Sequence, residues 1–214
     1  MKSSTTHKYR PDIDGLRAVA ILLVIAYHAF PTRVRGGFIG VDVFLVISGF
    51  LISSNIFQGL ERRSFSLVDF YGRRCRRILP ALVLVLASVT LLSFFVSAGL
   101  DFTRLGKHLV AGATFTSNIL LLRESGYFDA ASELKPFLHL WSLGIEEQFY
   151  LFWPALALIA WRVRLKLPLV VFALLAASFA VNLRWAAQHP AKDFYLLPSR
   201  FWELLAGCAL ALPS

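Results

Sequence analysis

Apolar residues arrive in runs of about twenty, separated by short polar stretches, which is the pattern of helices long enough to cross a bilayer. Such runs predict helices over 12–31, 38–60, 78–98, 137–161 and 167–187, with a last one from 201 that runs into the end of the chain. Pro80 falls in the first turn of the third predicted helix, where a missing N–H does no harm. A further run, 105–122, is short and carries Lys107, His108, Thr114, Thr116, Ser117 and Asn118. These six to seven apolar segments make the expected fold class all-α, a polytopic transmembrane helix bundle. The chain reads as one incomplete domain over 1–214, lacking its C-terminal part.

Charge then orients the bundle. The densest cluster, Arg62, Arg63, Arg73, Arg74, Arg76 and Arg77, lies between the second and third predicted helices, so that loop and the N-terminus are expected on the cytoplasmic side. Arg162, Arg164 and Lys166 also read as cytoplasmic, but a full crossing by 105–122 would put them outside. We therefore expect 105–122 to be re-entrant or irregular. Hydrophobic residues make up 57% of the chain and charged residues 16%, with mean hydropathy +0.64, values that exclude an ordinary soluble domain. The net charge of +9 gathers at the ends of apolar runs, which argues against a nucleic-acid partner. The two cysteines, Cys75 and Cys208, are too few and too isolated for a disulfide framework or a metal site. The start of the chain carries no cleavable signal pattern.

Candidate chemistry concentrates in the first hairpin. Arg17 and His28 are eleven residues apart, close to three helical turns, so they share a face with a rise of roughly 16 Å between them. Arg17 alone would be an interfacial anchor and His28 alone a satisfied structural ring. In lipid, however, an ionisable group needs a cavity or a partner. Asp42, a few residues beyond the turn, sits at similar depth to His28 and could orient its ring. Farther on, His139, Glu146 and Tyr150 recur along one helical stripe, while Glu147 lies about 100° round from Glu146. Such carboxylates need neutralising, by protonation or by Arg200 or the early arginines. Arg73, Arg74, Arg76 and Arg77 form two overlapping Arg-x-x-Arg pairs suited to phosphate oxygens, and equally to anionic lipid. Ser48-Gly49-Phe50 reads as small-residue helix packing before it reads as a nucleophile. By residues alone this is a polar, titratable channel, which a proton-coupled transporter or flippase for an envelope precursor would also have.

Four blocks carry a resemblance. Arg10-Pro11-Asp12-Ile13-Asp14-Gly15-Leu16-Arg17 with the Arg17-x10-His28 spacing and Gly40-Val41-Asp42-Val43-Phe44 form the first. The others are Phe70-Tyr71-Gly72-Arg73-Arg74, His139-Leu140-Trp141-Ser142-Leu143-Gly144-Ile145-Glu146-Glu147 and Arg200-Phe201-Trp202-Glu203. In this order they resemble the acyltransferase-3 family of integral membrane enzymes, in particular its longer members with an appended extracytoplasmic hydrolase-like domain. The resemblance implies an O-acyltransferase of the bacterial cytoplasmic (inner) membrane. Such an enzyme moves an acyl group, commonly acetyl, from acyl-CoA to a hydroxyl of an envelope glycan, without a metal. It implies His28 as general base or transient acyl carrier, with Asp42, Arg17 and Glu146 around the path. It also implies Arg73, Arg74, Arg76 and Arg77 as the cytoplasmic binding site for acetyl-CoA.

Overall fold

The computed structural model describes residues 10–96, 102–125, 135 and 137–212. Nine helices and no strand are found among them: α1 (Pro11–Ala29), α2 (Ile39–Glu61), α3 (Leu67–Val96), α4 (Phe102–Ala113), α5 (Ser117–Glu124), α6 (Leu140–Arg162), α7 (Leu167–Gln188), α8 (Pro190–Tyr195) and α9 (Leu197–Leu210). The all-α expectation holds. Of these, α2, α3 and α7 are long and apolar enough to cross a membrane. The six to seven expected segments are thus not all matched by helices of that length and composition. Helices α1 and α6 have 19 and 23 residues, but acidic and basic groups interrupt their apolar runs.

Two boundaries differ from expectation for local reasons. Helix α3 starts eleven residues early, at Leu67, where the Ser66 hydroxyl accepts the Asp69 N–H and so caps the first turn. Polar residues extend a helix as readily as apolar ones, and hydropathy sees only the part inside lipid. Pro80 is consequently inside α3, not in its first turn. At 30 residues the helix is about 45 Å long, beyond the ~30 Å apolar layer. The irregular run 105–122 is broken in two: α4 stops at Ala113, and Phe115 takes a left-handed φ of 56° before α5 begins. Neither piece has the length of a span. The polar residues of this run hold the break in place. Asn118 donates to the Tyr195 carbonyl at 2.9 Å, and Gln148 on α6 donates to Asn118 Oδ1 at 2.9 Å and to the Phe115 carbonyl at 3.0 Å.

The core lies where α2, α6, α7 and α9 meet. Trp153 and Phe149 stack with centroids 5.9 Å apart, both fully buried, beside Leu45, Ile56, Leu204 and Leu205. The indole N–H of Trp153 reaches Ser53 Oγ at 2.9 Å, so its one polar atom is satisfied. Helices α2 and α9 cross so closely that a Cβ on Gly49 would meet the Leu204 carbonyl, and one on Gly207 the Val46 carbonyl. Gly49 thus packs helices, as expected for Ser48-Gly49-Phe50. Cys75 is exposed and Cys208 buried, and neither is in a disulfide.

Candidate active site

The end of α1 and the starts of α2, α6 and α9 surround a cavity of about 390 Å³, lined by His28, Asp42, His139, Trp141, Tyr195 and Arg200 among others. His28 stands in the last turn of α1 and is exposed at this opening. Its Nδ1 lies 2.8 Å from the Val24 carbonyl. A carbonyl only accepts, so Nδ1 carries the proton and Nε2 keeps its lone pair, the tautomer a general base requires. The ring stands edge-on to His139 at 4.8 Å and to Tyr27 at 5.2 Å.

Asp42 lines the same cavity but does not bond His28. Its carboxylate is held by Arg200 Nη1 at 2.9 Å, a residue 158 positions later. A guanidinium is always charged, whereas a neutral imidazole offers one weak donor, so arginine wins the carboxylate. Arg200 is half-buried and held at several points. Nη1 also meets Glu203 at 3.0 Å, Nε donates to the Phe194 carbonyl at 2.8 Å, and the group lies 5.2 Å from the Trp141 ring centroid. Just outside, partial burial pushes the Asp193 carboxyl up from its ordinary value, with Arg200 pulling against that shift.

About 10 Å along α6, some seven residues from His139, lies a second polar group. Glu146 is buried and accepts hydrogen bonds from Ser48 on α2 and Tyr150 on α6. Glu147 is neutralised by Arg74 at 2.8 Å, and that guanidinium lies 3.8 Å from the Tyr150 ring centroid. Arg74 Nε is buried without a partner.

The expected site residues are therefore divided. His28 and Asp42 share the cavity; Glu146 and Arg74 share the buried cluster. Arg17 stands apart, half-buried, 5.4 Å from the Phe44 ring and 3.8 Å from Asp14. Arg73, Arg76 and Arg77 are exposed on α3, so the two Arg-x-x-Arg pairs do not act as like units. Of the ways offered to neutralise Glu146 and Glu147, namely protonation, Arg200 or the early arginines, Arg200 is taken up by Asp42 and Glu203 instead. The i,i+3 spacing of Arg200 and Glu203 was the signal for its true setting. His139 was seen only as part of a stripe, and nothing in the sequence aims it at His28.

The family model described as an acyltransferase domain, acyltransferase 3, matches residues 10–212. The peptidoglycan O-acetyltransferase OatA of Listeria monocytogenes is 39% identical over 220 residues, covering 99% of this chain and 35% of the relative. An uncharacterized protein of Haemophilus influenzae is 38% identical over 179 residues, 80% of this chain and 73% of that protein. The O-acetyltransferase OatA of Staphylococcus aureus is 30% identical over 209 residues, 95% of this chain and 34% of the relative. The chain thus spans about a third of the length of the two O-acetyltransferases it matches. No solved structure matches. A match over nearly the whole chain, on an all-helical frame with three helices fit to cross a membrane, places this integral membrane protein in the acyltransferase-3 family.

Proposed function

We propose that residues 1–214 are the N-terminal part of a membrane O-acyltransferase domain that moves an acetyl group from acetyl-CoA to a hydroxyl of peptidoglycan or a similar envelope glycan. The observation that carries this is the His28 ring, with Nδ1 tied to Val24 and the ring in the wall of an aromatic-lined cavity. Rings such as Tyr27, Phe38, Trp141 and Tyr195 give apolar faces for a sugar, and Arg200 gives the wall a fixed cation. In the reaction, Nε2 takes the proton of the acceptor hydroxyl as its oxygen bonds the thioester carbonyl carbon. The carbon–sulfur bond then breaks and coenzyme A leaves as thiolate, to be protonated in turn. A two-step route, with the acetyl carried briefly on His28, uses the same atom.

Donor phosphates bind at the exposed guanidiniums of Arg73, Arg76 and Arg77, while Arg74 ties α3 to Glu147 beneath the cavity. Glu146 keeps the path between the two groups polar. The enzyme sits in the cytoplasmic membrane of a bacterium with its N-terminus cytoplasmic. The relatives' names support a cell-wall acceptor, and family membership does not favour the carrier reading. The test is release of free coenzyme A from acetyl-CoA by purified protein, with and without membrane glycan. His28→Ala should insert and express normally and lose glycan acetylation by at least about a hundredfold, the scale of a lost general base; an unimpaired variant would sink the assignment.

A further inference from the structure

At the opposite end of α2 and α6, these helices and the start of α7 surround a second concavity of about 600 Å³. Its lining includes Arg63, Phe65, Trp161, Arg162, Arg164 and Lys166. None of the four cations makes a side-chain hydrogen bond or ion pair with a described residue. Four like charges converging on one hollow repel each other, so an anion completes the site.

The backbone supplies an independent reason. Helices α2 and α6 end in the same turn: Ser64 N–H bonds Gly59 O at 2.9 Å and Arg63 N–H bonds Leu60 O at 3.0 Å, while Leu165 N–H bonds Ala160 O at 2.9 Å and Arg164 N–H bonds Trp161 O at 3.1 Å. That turn needs a left-handed residue, normally glycine, and here the positions hold Arg63 (φ 53°) and Arg164 (φ 59°). Phe115 and Phe137 are also left-handed; Phe137 is buried in an apolar cluster with Leu82, Leu86 and Leu105, and Phe115 packs partly buried against it. The two arginines bury nothing; both are exposed and both line this hollow. Where the backbone favours glycine twice, the retained feature is the guanidinium.

We propose that this concavity seats the phosphate of an anionic glycerophospholipid. Guanidiniums bind phosphate oxygens through paired, charge-assisted bonds. The hollow lies at the helix ends, where headgroups sit, with Trp161 on its wall as an interfacial aromatic. From it an exposed apolar stripe, Val163, Ile159, Leu156 and Phe152, runs along α6 at spacings of four, three and four residues, a track for acyl chains. A free phosphate has no use for that track.

The test uses purified protein in nanodiscs of equimolar phosphatidylcholine and phosphatidylglycerol, with retained lipid counted by native mass spectrometry after gentle extraction. Wild-type protein should keep phosphatidylglycerol selectively. Arg63→Gly/Arg164→Gly relieves both turns, so its thermal midpoint in lipid-free detergent should be equal or higher, while selective retention weakens about tenfold or more. Arg123→Gln/Arg184→Gln, which removes the same charge elsewhere, should retain the lipid. Equal retention by wild type and the glycine variant, or equal loss in the control, overturns the proposal. So does displacement by inorganic pyrophosphate at parity with the lipid, which would mark a free-phosphate site. Should the glycine variant fail to fold, Arg162→Gln/Lys166→Gln is read by the same count.

Discussion

At His28 a single backbone contact decides the chemistry available. The contact of Nδ1 with the Val24 carbonyl leaves Nε2 as the basic atom of this ring, with no carboxylate bonded to it. Asp42 holds Arg200, and Arg200 in turn gathers Glu203 and the Phe194 carbonyl. Arg200→Lys keeps the charge but cannot serve all three partners. We expect a loss of about 1–3 kcal/mol in stability, read from thermal unfolding in detergent, with acetylation falling alongside. In a double-mutant cycle Asp42→Asn and Arg200→Lys should couple by more than about 0.5 kcal/mol; additive losses would make the pair incidental.

Helices impose their own demands. The α2–α9 crossing admits no side chain at Gly49 or Gly207, and both sit directly against facing backbone that cannot yield as a flexible side chain could. Gly49→Ala should lower stability by about 1–3 kcal/mol through overpacking, with a matching fall in thermal midpoint; an unchanged midpoint would mean that the crossing is looser than drawn. On α3 the face of the helix separates arginines that look alike in sequence. Arg77→Lys, on the exposed face, should weaken acetyl-CoA affinity by about 1–3 kcal/mol, since a hydrated ammonium lacks the planar fork. Arg74→Lys should instead cost stability, by loosening the bond to Glu147 and the contact with Tyr150. Titration of donor binding beside a thermal scan separates the two outcomes, and equal effects at both sites would refute the division.

For the molecule as a whole, the break between α4 and α5 bears on topology. Two helices of 12 and 8 residues are each too short to span, which fits a re-entrant or irregular segment; under that reading the charge rule expects Arg162, Arg164 and Lys166 on the cytoplasmic side. Single cysteines at Gly126 and Arg164, in a background without Cys75 and Cys208, should label from opposite sides, because α6 lies between them. Ser97 and Gly126, both outside the described residues, should label from the outer side together. Labelling of Gly126 from the cytoplasm alone would refute re-entry.

Apolar runs and polar breaks were enough to make the chain helical and membrane-bound, because burying a backbone in lipid leaves helices as the economical answer and hydropathy reads out directly. Four motif blocks were enough to point to the family. Helix starts such as Leu67 escaped the hydropathy pattern, since capping by Ser66 depends on a polar residue that the pattern ignores. Ion pairing escaped it altogether. Asp42 finds Arg200, Glu147 finds Arg74 and His28 finds His139 through helices that are remote in sequence and adjacent only after packing. Spacing along one helix says which residues share a face; which face meets which is set by the glycine-mediated crossing of α2 and α9 and the aromatic core on α6, and those are properties of the folded bundle.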